Sequence, residues 1–192
     1  MTSSLDECRV AESRFGENRV NLIRTIAILV FFGNHLAHLV WDRNSLVTAE
    51  YNRQVTTIIM MWLVLAAGMF LLYGRGSRPP TWMSYLAISW DVAMATQLLI
   101  VSQAPSSVLL MMYLLIVFSA VLRQSLRVVY FSVVASVLGY LSLLWFSTWG
   151  RAGYQAYYEN PEWRIPRWEQ GFVILSILVA GGIAAQATRQ YA

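Results

Sequence analysis

The chain is 192 residues long, 57% hydrophobic and only 12% charged, with a mean hydropathy of +0.51. About a quarter of an ordinary soluble domain is charged, so half that share excludes a typical soluble enzyme and points to an integral membrane protein. The formal net charge of +4 comes from arginine alone, because the sequence contains no lysine. Imine chemistry on a lysine amine, a retinal Schiff base included, is therefore excluded.

The N-terminal segment MTSSLDECRVAESRFGENR alternates acidic and basic residues. It lacks the charged-then-apolar order of a cleaved signal peptide, so the first span is expected to be retained. Cys8, the single cysteine, lies here and has no internal partner for a disulfide. Six apolar runs follow, at 21–41, 55–73, 82–102, 107–122, 128–148 and 170–188. Their lengths bracket the ~20 residues a helix needs to cross the hydrocarbon. They are apolar all round, without the alternation of a β-barrel strand. The expected fold is thus all-α: a polytopic membrane protein of six transmembrane helices. Residues 1–19 form a cytoplasmic segment and residues 20–192 the bundle.

Arginine counting orients it. One side collects Arg9, Arg14, Arg19, Arg24, Arg75, Arg78, Arg123, Arg127 and Arg189. The other holds Arg43, Arg53, Arg151, Arg164 and Arg167, opposed by Asp42, Glu50, Glu159, Glu162 and Glu169. Both termini are predicted cytoplasmic in an inner (cytoplasmic) membrane. Trp41, Trp149, Trp163 and Trp168 mark the outer interface and Trp82 the inner one. The connections at 103–106 and 123–127 are tight, making the third, fourth and fifth spans antiparallel neighbours. The outer loop 149–169 carries three tyrosines, three tryptophans and two prolines, and it is expected to fold over the outer mouth.

Inside the spans a few residues are conspicuously polar. Asp91 lies ~14 Å above the inner edge at ~1.5 Å per residue, near the midplane of a ~30 Å core. Asn34, His35 and His38 sit together in GNHLAHLV, and Gln97 lies one to two turns beyond Asp91. An ionisable residue at the midplane costs a few kcal/mol, so Asp91 should face the interior and find a partner. The histidines, Tyr113, Tyr140 or a buried water are the expected partners, with the first and third spans in contact. Arg24 is expected to snorkel to the inner headgroups. These expectations define a candidate ligand site of Asn34, His35, His38, Asp91, Gln97, Tyr113 and Tyr140, open to the outer side. The plainer reading is that the same groups are interhelical glue, worth about 0.6 kcal/mol per bond. In AGGIAAQ, Ala180, Gly181, Ala184 and Ala185 have the small-xxx-small spacing of a packing or dimer helix.

No G-x-S-x-G, H-E-x-x-H, Walker loop, C-x-x-C or catalytic carboxylate pair occurs in any span. No catalytic residue, metal site or cofactor is expected, although His35 and His38 could offer two nitrogens to a metal. All five prolines fall in loops, unlike the broken helices of secondary transporters.

Three pieces carry a resemblance: RVNLIRTIAILVFFGNHLAHLV, LRQSLRVVYFSVVASVLGYLSLL and IPRWEQGFVILSILVAGGIAAQATRQ. Together they resemble the six-span N-terminal modules of bacterial sensor histidine kinases and class III adenylate cyclases, in architecture rather than by a diagnostic motif. The resemblance implies a ligand-sensing, usually dimeric bundle whose sixth helix drives a cytoplasmic effector. The sequence stops four residues past the sixth run, so a truncated chain or an effector on a partner protein is expected. The function expected is a membrane sensor or receptor for a small, mostly apolar molecule. The alternatives are an assembly subunit of a larger membrane complex and a cofactor-binding protein using His35 and His38.

Overall fold

The computed structural model describes residues 2–41, 49–74, 81–102, 110–150 and 166–191. Six α-helices account for nearly all of them: α1 (Thr2–Trp41), α2 (Ala49–Gly74), α3 (Thr81–Val101), α4 (Met111–Val121), α5 (Leu126–Trp145) and α6 (Arg167–Tyr191). A π-helical turn, Phe146–Gly150, extends α5. No strand occurs among the described residues, so the all-α expectation holds. Five of the helices are long and apolar enough to cross a membrane. The sixth, α4, has 11 residues, or roughly 17 Å, and is too short to span ~30 Å of hydrocarbon alone.

These sequences form helices because a helix satisfies nearly every backbone N–H and C=O within the segment, one of the two solutions open to a chain without water. Many of their hydroxyls are satisfied locally too. Thr25, Thr57, Ser89, Thr96, Ser142, Ser176 and Thr188 each donate to the carbonyl four residues back. The outward faces are large apolar side chains, among them Val30, Val64, Leu71, Val134, Leu138 and Leu175. A surface this apolar needs lipid or a partner protein to cover it.

The helices pack α1 on α2, α2 on α3, α3 on α5, and α6 across α4 and α5. Tight turns make α4 and α5 neighbours as expected, and α3 touches both. Gly139 allows a close approach in the core. A Cβ there would lie 2.5 Å from Val92 Cγ1 and 3.1 Å from Tyr113 Cε1. Ala180, Gly181, Ala184 and Ala185 are buried, and Gly181 rests on Val133 of α5, 2.4 Å from the position of a Cβ.

Two features differ from the sequence-based picture. α1 runs without a break through residue 19, and Gly16 and Glu17 are already buried. α1 also packs chiefly on α2 rather than α3, reaching α3 only through long side chains. The arginine-rich ends gather at one end of the bundle: Glu17 meets Arg123, and Arg189 Nη2 lies 3.4 Å from the Tyr130 hydroxyl. Of the outer loop expected at 149–169, residues 151–165 lie outside the described residues, while 149–150 close the π-helical turn and 167–169 begin α6.

Candidate functional site

Asp91 faces inward and is buried, 5% exposed. Its partner is Arg24. Arg24 Nε donates to Asp91 Oδ2 at 2.9 Å, and Nη2 lies 2.7 Å from the same oxygen, off the line a hydrogen bond needs. Trp62 Nε1 donates to Oδ1 at 2.8 Å. Arg24 Nη1 is held by Asn21 Oδ1 at 3.1 Å and lies 3.4 Å from Met69 Sδ, while Asn21 Nδ2 donates to the Ala66 carbonyl at 2.9 Å. The expectation that Arg24 snorkels to the headgroups is therefore corrected: the side chain turns into the bundle. The physical reason is that a carboxylate in a low-dielectric interior is best offset by a full, fork-shaped positive charge, which amides and neutral imidazoles lack.

The register follows from the helix repeat. Glu17 and Arg24 are seven residues apart on α1, and their partners Ser84 and Asp91 are seven apart on α3. Two turns of one helix match two turns of the other, so both polar contacts form without bending either. Two turns nearer the N-terminal ends of both helices, Ser84 Oγ donates to Glu17 Oε1 and Arg123 Nε donates to Glu17 Oε2 at 3.0 Å.

The other candidate residues are dispersed. His35 is half-buried between α1 and α2, with Nε2 3.1 Å from Asn52 Oδ1 and its ring edge-on to Tyr51 at 6.0 Å. The side chains of Asn34 and His38 lie outside the described residues. Tyr113 and Tyr140 are fully buried, edge-to-face at 6.5 Å, and the Tyr113 hydroxyl is 2.7 Å from Thr96 Oγ1. Gln97 is exposed. Asp91 and His35 thus belong to separate networks. Gln97, Tyr113 and Tyr140 gather on either side of the α3–α5 contact. Among the described residues no group of three or more His, Cys, Asp or Glu could hold a metal ion.

Two spaces adjoin these networks. A cavity of about 30 Å³ beside Arg24, Asp91, Trp62 and Ser119 separates α1 from α4, room for about one water. A far larger open groove, about 830 Å³, runs along α3 and α5. Val92, Thr96, Gln97, Val134, Leu138 and Trp145 are among its walls and Gly139 is part of its floor. Its volume falls in the range of small-molecule sites, and its lining is mostly apolar with a few polar groups.

Sequence reasoning missed Asn21, Arg24 and Trp62 as the surroundings of Asp91, and Glu17, Ser84 and Arg123 as a second cluster. The matched sevenfold spacings were the available signal. Comparison with known proteins returns no matching family, no matching curated protein and no matching solved structure.

Proposed function

We propose that the chain is a sensor or receptor module, integral to the cytoplasmic membrane, that binds a small, mostly apolar molecule in the α3–α5 groove. The groove itself carries this reading. It is a space large enough for a small molecule beside Gln97, whereas the ion-paired Asp91 faces a cavity of water size. Gln97 and Thr96 supply polar contacts in the half of α3 beyond Asp91, and the rest of the lining suits a hydrocarbon body. The arginine-rich end, with both termini, faces the cytoplasm on the positive-inside rule.

The packing suggests how occupancy would be passed on. α5 meets α3 at Gly139 and meets α6 at Val133, so a change in α3–α5 spacing moves the surface on which α6 rests. The output partner is then a cytoplasmic effector or a second copy of the chain, engaged through α6.

A long-chain alkyl diazirine tests the reading. In the full chain in mild detergent, saturable photolabelling is expected at Ala93, Gln97, Val134 and Leu138, all of which line the groove. It should fall sharply in Ala93→Trp, where an exposed side chain fills the groove, and persist in His35→Ala. Labelling spread evenly over the outward faces of α1, α2 and α6, unchanged by Ala93→Trp, would remove the groove as a site. The extent of outward apolar surface favours a second reading, an assembly subunit; a stoichiometric membrane partner retained on purification would support it.

A further inference from the structure

The Glu17 cluster has features that the groove reading does not use. Arg123 sits in the turn between α4 and α5, with its side chain 3% exposed. Only its Nε is engaged, by Glu17; Nη1 and Nη2 are both buried without a hydrogen-bond partner. A buried guanidinium with two idle nitrogens is costly and rare. Glu17 divides its two oxygens between Ser84 and Nε, whereas a phosphate group, with more acceptor oxygens, could pair with two guanidinium nitrogens side by side and still accept from Ser84. Ser84 Oγ, in the first turn of α3, already donates to the acid. The partial positive charge of that helix start favours an anion there. Exposed Arg19 and Arg127 lie nearby in sequence and at the same end.

We propose that Ser84 and Arg123 form a phosphate-binding site at the arginine-rich end of the bundle, filled here by the chain's own Glu17, and that an incoming phosphate group displaces Glu17 and frees the start of α1. The cover is α1 itself, seated so closely that a Cβ on Gly16 would lie 2.6 Å from the Leu122 carbonyl oxygen. A side chain at 16 therefore wedges α1 away from the turn. This gives a second way to open the site, independent of charge.

Cys8, the sole cysteine, lies on α1 ahead of Gly16 and is the position chosen for a fluorescent label. The labelled full chain in neutral detergent is titrated with phosphatidylglycerol, with phosphatidylcholine and with inorganic phosphate, and label anisotropy reports release of α1. Phosphatidylglycerol is expected to lower the anisotropy saturably, and phosphatidylcholine to leave it unchanged. Glu17→Gln and Gly16→Ala should respond at several-fold lower concentration. Arg123→Gln should lose the response while Arg127→Gln keeps it. Because Arg123→Gln could unfold, Arg123→Lys is measured beside it; the charge without the fork should give a weakened response. A response to inorganic phosphate as well assigns the site to a free phosphate group, and a response to the lipid alone assigns it to a headgroup. A wild-type response in either Arg123 variant, or no shift in both Glu17→Gln and Gly16→Ala, overturns the proposal.

Discussion

Asp91 is the residue on which the interior turns, and its need for a partner was readable from its depth in an apolar run. The identity of the partner was not. Placing the first span's start at residue 21 put Arg24 at the headgroups and His35 closer to the level of Asp91. The helix in fact enters the packed region by Gly16, four to five residues earlier, which carries Arg24 to the level of the carboxylate. Apolar composition cannot reveal that shift, because Glu17, Asn21 and Arg24 make the segment look like a surface until their partners are known. The polar contacts should differ in weight. Trp62→Phe removes the indole donor from a buried carboxylate and should cost about 1–2 kcal/mol. His35→Ala, which loses one half-buried contact to Asn52, should cost no more than about 0.6 kcal/mol. Denaturation of the purified variants in mixed micelles orders the two, and a larger loss in His35→Ala would reverse the roles assigned here.

Among the elements, helix number and position were legible from run length, and the tight turns correctly made α3, α4 and α5 neighbours. Which helix faces meet was not legible, since the runs are apolar on all sides and show no face by periodicity. Small residues partly fill that gap, but only the structure separates those in contact from those facing outward. Gly139 and Gly181 lie against Val92 and Val133, whereas a Cβ on Gly68 would meet nothing within 4 Å. Gly139→Ala should therefore overpack the α3–α5 contact and destabilise by about 1–3 kcal/mol. Gly68→Ala should be neutral or stabilising by about 0.5–1 kcal/mol, the ordinary helix preference for alanine. Thermal unfolding in detergent compares them. Equal effects would mean that α3 and α5 are not in close contact at Gly139.

For the molecule as a whole, the pairs Arg24–Asp91 and Glu17–Arg123 join α1 to α3 and to the α4–α5 turn, although α1 packs its apolar side chiefly on α2. The bundle so described is clamped by charge on one flank and packed by small residues in its centre, and the α3–α5 groove is an open recess beside that centre. That division was beyond sequence reasoning, which gathered seven polar residues into one pocket, whereas the five whose side chains are described fall into several separate contacts. The clamp is tested most directly by a double-mutant cycle on Arg24 and Asp91, using Arg24→Met, Asp91→Leu and the double variant in reversible unfolding. Each single change should cost about 3–5 kcal/mol by leaving a buried charge unpaired, and the double variant should recover about 2 kcal/mol of their sum. Strictly additive losses, or an Arg24→Met variant no less stable than Arg19→Met at an exposed position, would contradict the clamp.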